Sequence, residues 1–406
     1  MKLSGRENAL LVGTILCAVL PLALSGAVAV SLRHALGLSL DEFGLGVSAY
    51  YLSSACLSPL LGSLVQRLAP RDGVRIALCF GAASLLGLGL LTHTMATFFL
   101  FLAVGGVSNA IAPPAVNHFL TLRIDGGGLA TAVGAKQAAV PIAGLLSGLS
   151  VPLVAVNFGW RAVFLLAAAA PLALLAGWTL DRRARRFPGG PVAGAEISSP
   201  RRRLAGFAVV GGMAAMGGNA TSAFLVSSAV AIGFNQSAAA LILAAGSAAC
   251  AAVRYGGGVV VDRRWIGGMA GFAVLLAVGG LGYLGLASAL APVFAVSAIL
   301  AFAGGWGWPG LFQFSVIEAN PGVAARATGL TQTGVYLGAA SGPLLFGLLA
   351  TQSFALAWLV LVAIAFAAST VGARIASRST SYTVAHGGVR SRLTYRIARR
   401  EGGENE

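Results

Sequence analysis

The sequence predicts an all-α membrane protein with twelve transmembrane helices, and three observations lead to this fold class. Of the 406 residues, 57% are hydrophobic and only 10% are charged, whereas a soluble domain has about 25% charged residues. Apolar runs of about 20 residues recur twelve times, and each is long enough to cross about 30 Å of hydrocarbon as a helix. The net charge of +15 resides mainly in loops between these runs, as in membrane proteins. No basic stretch is interleaved with aromatic residues, so we expect no nucleic-acid partner.

The apolar segments fall into two groups of six. The first group comprises residues 9–32, 42–65, 74–92, 97–119, 129–155 and 162–180. The second group comprises residues 204–232, 237–261, 266–287, 291–314, 324–350 and 354–376. We therefore expect two pseudo-symmetric six-helix bundles, at 1–180 and 204–376.

The remaining residues form a linker and a tail. Residues 181–203 are rich in arginine, proline, glycine and serine, a composition typical of a flexible linker. Residues 377–406 are polar and lack an apolar period, so we expect a cytoplasmic tail that is disordered or, alternatively, bound to the membrane surface.

The loops differ in charge on the two sides of the membrane. One side has Lys2, the arginines around Arg67, the linker and the tail, whereas the other side has only Arg33 and Arg161. Because basic loops stay in the cytoplasm, the sequence predicts cytoplasmic termini in a bacterial-type cytoplasmic (inner) membrane.

The two halves resemble internal repeats. A shift of 196 residues places Gly62 on Gly258 and Gln66 on Asp262 without a gap, and it places Ser58 on Arg254. Internal repeats of this size are typical of secondary transporters, whose substrate sites lie between the repeats.

The repeated loops resemble a known motif. The residues from Gly62 to Arg75 are similar to the loop after the second helix of the major facilitator superfamily, and those from Gly258 to Arg263 are similar to its counterpart in the second half. The turn at Phe158–Phe164 and the glycine-proline ladder around Pro343 also resemble this superfamily, so the resemblance covers residues 9–376.

The resemblance implies a transporter that works by alternating access, with gating loops on the cytoplasmic face. The implied gating residues are Gly62, Arg67, Arg71, Gly258, Asp262 and Arg263. The superfamily usually has Asp at the position of Gln66, so the resemblance implies an asymmetric latch between the halves.

Two cationic side chains, Lys136 and Arg254, lie inside predicted membrane spans, and their burial there requires a physical explanation. They lie about 10 Å and about 12 Å inside the predicted cytoplasmic boundary, and each costs about 3 kcal/mol on insertion scales. No interior Asp or Glu is available to pair with them, so an anion bound between them would offset both costs. Alternatively, Lys136 extends to the lipid headgroups and Arg254 binds backbone carbonyls.

The spacing of Arg254, Gly258 and Asp262 resembles the eighth helix of monocarboxylate transporters and oxalate–formate exchangers, which implies carboxylate binding by Arg254. The predicted substrate-binding residues combine the two cations with polar and aromatic side chains of other segments. They are Arg254, Lys136, Gln137, Asn109, Asn219, Trp308, Gln332 and Tyr336. Ordinary helix packing is the alternative for each polar member.

Local sequence also predicts a helix break in the tenth segment and two solvated side chains. The glycines of residues 304–307 and Pro309 should loosen the tenth segment and expose its backbone to a cavity. His118 and Glu318 lie near helix ends, and we expect both to be solvated.

The sequence therefore predicts a transporter of a small organic anion, with a small-molecule substrate and the lipid bilayer as partners. A drug exporter is an alternative, although the fourth segment lacks the arginine of proton-coupled exporters, and a non-transporting sensor is another. We expect a monomer, with no enzyme activity, metal site or cofactor. The direction, import or export, stays open, and so does the choice between proton or other ion coupling, anion exchange and facilitated diffusion.

Overall fold

The chain is helical throughout the part that the computed structural model describes. The described residues are 5–38, 40–124, 128–180, 201–234 and 236–401, with side chains described up to Ser377. The first half contains α1 (Gly5–Ala27), α2 (Ala29–Leu36), α3 (Leu40–Arg67), α4 (Pro70–Leu90), α5 (Met95–Arg123), α6 (Leu129–Ser150), a π-helical turn (Val151–Ala155), α7 (Val156–Phe158) and α8 (Trp160–Leu180). The second half contains α9 (Arg201–Ala231), α10 (Gln236–Asp262), α11 (Gly268–Ala287), α12 (Ala291–Gly305), α13 (Pro309–Glu318), α14 (Ala324–Ala350) and α15 (Phe354–Glu401).

These elements form the twelve expected spans. Eleven helical segments of the described chain are long and apolar enough to cross a membrane. The remaining span is α3, which has 28 residues but is less apolar, because it contains two tyrosines and several serines. Because α12 and α13 follow one another, they make up one span between them. The predicted fold class is confirmed.

The apolar clusters lie mainly within one half or the other, and two of them include a few residues of the opposite half. In the first half, α3 and α4 pack on α5, whereas in the second half α14 packs on α9 and α11 packs on α15. The two halves meet where α3 packs on α14 and α6 packs on α10. These two contacts use the repeated helices, so the pseudo-symmetry extends to the interface.

The bounds of the linker and tail differ from the expected ones. Helix α9 begins at Arg201, three residues before the expected start, and most of the predicted linker (181–200) lies outside the described residues. Helix α15 continues through Glu401, whereas we expected a tail without regular structure. The sequence after Phe354 contains no proline up to Glu401, so every residue of this stretch can donate its helical backbone hydrogen bond.

The halves are closed on one side of the membrane, the side where α3 and α10 end, which is called the motif side below. A Cβ added to Gly62 would lie 2.8 Å from the Cα of Gly329, and one added to Gly258 would lie 2.7 Å from the Cα of Thr131. Only glycine permits such close approach of two backbones. The glycines of the repeated motif thus allow the halves to seal the motif side.

Candidate functional site

A cavity of about 110 Å³ lies between the halves. Its walls come from α1, α3, α5 and α6 on one side and from α9, α10, α13 and α14 on the other. Seven of the eight predicted substrate-binding residues line it: Asn109, Gln137, Asn219, Arg254, Trp308, Gln332 and Tyr336. The eighth, Lys136, is not among the lining residues.

Arg254 is buried and hydrogen-bonds to the end of α12 in the second half and to α6 in the first half. Its Nε and Nη2 donate to the backbone oxygen of Trp306 at 3.0 and 2.7 Å, and its Nη1 donates to the backbone oxygen of Gln137 at 2.9 Å. The guanidinium carbon lies 5.0 Å from the centroid of the Trp306 ring, a cation–π distance. These contacts use three of its five N–H groups.

The carbonyl of Trp306 is free for Arg254 because the helix breaks there. Helix α12 ends at Gly305 and α13 begins at Pro309, and proline has no N–H to continue the hydrogen-bond ladder. The last carbonyls of a helix lack intrahelical donors and carry partial negative charge. The predicted helix break is confirmed, and it leaves the carbonyl oxygen of Trp306 as the acceptor for Arg254.

Lys136 is 1% exposed and points away from the cavity, into a buried polar cluster. Its Nζ donates to Asn117 Oδ1 and, at 2.6 Å, to Gln313 Oε1. Asn117 also donates through Nδ2 to Thr328 Oγ1 at 3.0 Å. The side chain does not extend to the headgroups. The sequence predicted two cations facing one cavity, whereas in the structure Arg254 lines the cavity and Lys136 lies behind its wall.

Two tyrosines connect the polar wall across the halves. Tyr51 donates to Asn219 Oδ1 at 3.1 Å, and Tyr336 donates to the backbone oxygen of Asn109 at 2.8 Å. Gln332 donates to the Tyr336 hydroxyl at 3.4 Å. Sequence reasoning missed Tyr51, although a tyrosine in an otherwise small-residue stretch of α3 was an available signal.

The predicted gating residues occupy two kinds of position. Gly62 and Gly258 lie at the interface, and Asp262 accepts the N–H groups of Ala130 and Thr131 at 3.2 and 2.7 Å. By contrast, the three predicted arginines are not among these interface residues. Arg67 and Arg263 are exposed, and Arg71 is buried with its guanidinium 5.7 Å from the Trp178 ring centroid.

Gln66 makes the matching contact in the first half. Its Oε1 accepts the N–H of Ala325 at 3.0 Å and its Nε2 donates to the backbone oxygen of Gly322 at 3.1 Å. Its Nε2 also lies 3.3 Å from Nδ1 of His118, which is 4% exposed. The expectation that His118 is solvated was wrong, because the motif-side ends of the halves pack over it, whereas Glu318 is exposed as expected.

The electrostatics of the cavity are simple. Its lining contains one cation, Arg254, five amide side chains and two tyrosines, with no carboxylate, imidazole or thiol. In the described part of the chain, no cluster of three His, Cys, Asp or Glu side chains could hold a metal ion. The wall can donate many hydrogen bonds to a small polar solute, and its only full charge is positive.

Comparisons with known proteins agree with this architecture. A family model described as Major Facilitator Superfamily matches residues 10–343, which is most of the chain. No curated protein matches the sequence.

Several solved structures have the same fold at low sequence identity. A transporter of this superfamily, FucP, in the outward conformation is 18% identical with a TM-score of 0.70, over 90% of this chain and 97% of that one. The human organic anion transporter MFSD10 is 16% identical with a TM-score of 0.68, over 90% and 99% of the two chains. The proton:xylose symporter XylE is 15% identical with a TM-score of 0.69, over 89% and 93%.

Proposed function

Because the chain belongs to the major facilitator superfamily, whose members are transporters, we propose that it carries a small organic anion across the membrane by alternating access. The observation behind this substrate class is the cavity wall, which has Arg254 as its only full charge and no carboxylate. Transport of a small solute follows from the family, whereas the anionic class is the proposal.

Arg254 is suited to recognise a carboxylate. It keeps two N–H groups beyond those bound to the carbonyls of Trp306 and Gln137, and a guanidinium matches the geometry of a carboxylate. The interaction is strong here because the arginine is buried at 2% exposure, where water screens little. A solute carboxylate would also neutralise a charge that is costly in the membrane interior.

The rest of the cavity wall fits a small, polar solute. Amides of Asn109, Gln137, Asn219, Gln313 and Gln332 surround the space, with Trp306 and Trp308 as apolar contacts. The volume of about 110 Å³ is well below the roughly 300–1,000 Å³ of pockets for drug-sized ligands. This size favours a small metabolite over the substrate of a drug exporter.

The gating contacts support alternating access. Gln66 and Asp262 each cap a helix of the opposite half, and the motif side is closed. A solute would therefore enter this state from the opposite side, after which the halves would rock and break both caps. We take the motif side to be cytoplasmic, as the arginine-rich loops predict, in an inner membrane with a monomeric transporter.

The proposal is tested by uptake of radiolabelled lactate, succinate and benzoate into proteoliposomes. Arg254→Gln should lower the uptake of the transported anion at least tenfold, because loss of one partner of a buried charge pair costs about 2–5 kcal/mol. Arg254→Lys keeps the charge and should retain part of the activity. Arg374→Gln, which removes an exposed arginine of α15, is the matched control and should be silent.

Uptake unchanged by Arg254→Gln for every anion that the wild type carries would contradict the proposal. Circular dichroism of each variant checks that the fold is retained, because Arg254 also caps α12.

A neutral sugar is the second candidate, and the amide-rich, tryptophan-containing wall favours it. Among the structurally similar proteins, FucP from Escherichia coli is a fucose:proton symporter and XylE is a proton:xylose symporter. Fucose or xylose uptake that is insensitive to Arg254→Gln, together with absent anion uptake, would establish this alternative.

A further inference from the structure

Lys136 is the second interior cation, and anion recognition does not explain it, because its side chain is turned away from the cavity. It is the buried end of a cluster with Asn117 and Gln313, one from each half of the protein. We propose that Lys136 is the proton-carrying group of this transporter, protonated when the cavity is open to one side and deprotonated when it is open to the other.

The hydrogen bonds of Lys136 suit both protonation states. An ammonium has three N–H donors, whereas an amine has two N–H donors and a lone pair. In the described structure Nζ has two acceptors, Asn117 Oδ1 and Gln313 Oε1, and both are neutral amide oxygens. Two acceptors take up both N–H groups of the amine, and two charge-assisted bonds stabilise the ammonium, so the same two oxygens serve Nζ in either form.

The residue type is itself informative. Lys2 and Lys136 are the only lysines in 406 residues, and arginine provides all the other cationic side chains. Arginine keeps its proton under all physiological conditions, whereas a buried lysine can release it. The one lysine inside the membrane is thus the interior cation that can change its charge.

No acid competes for this role near Lys136. Apart from the buried thiol of Cys17, the titratable or charged groups on the neighbouring elements have partners of their own or are exposed. They are Glu7 (paired with Arg123) and the buried thiol of Cys17 on α1, His118 (bound to Gln66) on α5, Cys250 (donating to the carbonyl of Trp306), Arg254 (bound to carbonyls), the exposed Tyr255 and Asp262 (bound to Ala130 and Thr131) on α10, the exposed Glu318 on α13, and the exposed Arg326 and Tyr336 (bound to Asn109) on α14.

Gln313 connects Lys136 to the solute. Its side chain lines the cavity, and its Oε1 accepts the hydrogen bond from Lys136 at 2.6 Å. Rotation of this one side chain would open the amine to cavity water, and contact of a solute with Gln313 would change the bond to Lys136. The cluster therefore links occupancy of the cavity to access of protons to Nζ.

The step balances in atoms and charge. The lone pair of Nζ forms an N–H bond with a proton from water on the open side, and the same bond breaks to return the proton to water on the other side. No electron is transferred. If the solute is a monoanion, the empty carrier has Arg254 charged and Lys136 neutral, and the loaded carrier has two cations and one anion. Both have an interior charge of +1, so proton and anion would cross together without net charge movement.

The inference rests on the transport function of the family and not on the proposed substrate class. A neutral solute would contradict the anion proposal but would leave proton carriage by Lys136 intact, and transport would then be electrogenic. A Lys136 with one fixed protonation state would contradict the present inference but would leave anion recognition by Arg254 intact.

The direct test follows the single interior lysine by NMR and requires no substrate. In the full-length Lys2→Arg protein with ¹³C-lysine, the only labelled Cε belongs to Lys136. We expect its resonance to move between the ammonium and amine positions within the pH range in which transport is measured. A resonance fixed at either position throughout that range would overturn the inference.

A transport test complements the NMR. With lactate, succinate, benzoate, fucose and xylose as probes, an imposed pH gradient should drive accumulation of the carried solute by wild type and by Lys2→Arg, the matched control. In Lys136→Gln and Lys136→Arg, this gradient-driven accumulation should fall at least tenfold, whereas solute exchange at equal pH should be retained. A purely structural role would lower both activities together.

Gln313→Glu gives an independent variant. The new carboxylate should pair with Lys136, retain the proton there and abolish gradient-driven accumulation while the protein stays folded. Accumulation as in wild type by Lys136→Gln or Lys136→Arg would overturn the inference, as would equal loss of exchange and accumulation in all three variants.

Discussion

The carboxylate of Asp262 in the second half accepts the backbone N–H of Thr131 in the first half at 2.7 Å. Gln66 in the first half accepts the N–H of Ala325 in the second half at 3.0 Å. Each side chain thus caps the start of a helix that belongs to the other half, α6 or α14 respectively. The latch is reciprocal in position and asymmetric in charge, because only Asp262 adds a negative charge to the positive end of a helix.

Asp262→Asn should weaken closure of the motif side. The substitution keeps the shape of the side chain and removes the charge, which near a helix start stabilises by about 0.3–1 kcal/mol. We expect backbone amides at the starts of α6 and α14 to exchange with deuterium up to about fivefold faster, since 1.4 kcal/mol corresponds to a factor of ten. Mass spectrometry of peptides that cover Ala130 and Ala325 measures this.

Glu318→Gln is the matched control for that experiment, because it removes an exposed motif-side acid. Unchanged exchange at both helix starts in Asp262→Asn would show that the charge of Asp262 does not hold the halves together.

Gly258→Ala should prevent the halves from closing on the motif side. The added Cβ would lie 2.7 Å from the Cα of Thr131 and still closer to the carbonyl of Ala130, and backbone atoms cannot yield as a flexible side chain can. We expect at least a tenfold loss of proteoliposome transport with retained helix content. Gly256→Ala, two residues earlier, has nothing within 4 Å of its added Cβ and should transport normally. Equal activity of the two variants would contradict the close-approach role.

Gln332→Glu should abolish the preference of the cavity for anions. Gln332 lines the same wall as Arg254, so a new carboxylate would pair with the arginine or repel an incoming anion. We expect anion uptake to fall at least tenfold, because like charges in a low-dielectric site repel by several kcal/mol. Gln332→Asn shortens the side chain without a charge and serves as the control. A similar loss in both variants would assign the effect to shape instead of charge.

Much of the architecture could be predicted from the sequence, because the information is local. Length and hydropathy identify each span, and the glycines with Pro309 identify the break between α12 and α13, since these residues act on their own backbone. The motif glycines Gly62 and Gly258 were found by their repeat, and close packing explains them.

The direction of Lys136 could have been inferred in part. Adjacent helical residues point about 100° apart, because a turn has 3.6 residues, so Lys136 and Gln137 point in clearly different directions. Gln137 lines it and Lys136 points toward Asn117 and Gln313. The identity of those partners could not be predicted, because they belong to α5 and α13 and only the tertiary structure brings them together.

The role of Arg254 toward the carbonyl of Trp306 also depends on two distant segments. The sequence allowed either carbonyl or solute as its partner, and the structure has three bonds to carbonyls with two N–H groups left. The helix break and the arginine are each visible in the sequence, but their contact is not.

Ligand-induced stabilisation of the purified protein tests the anion proposal most directly. Each carboxylate is compared with its neutral amide: lactate with lactamide, succinate with succinamide and benzoate with benzamide. A bound ligand at 100 times its Kd raises the free energy of unfolding by about 2.7 kcal/mol. The account predicts that at least one carboxylate raises the melting temperature of wild type and Arg374→Gln, that its amide does not, and that Arg254→Gln loses the effect. Equal stabilisation by a carboxylate and its amide, or stabilisation by fucose or xylose alone, would contradict it.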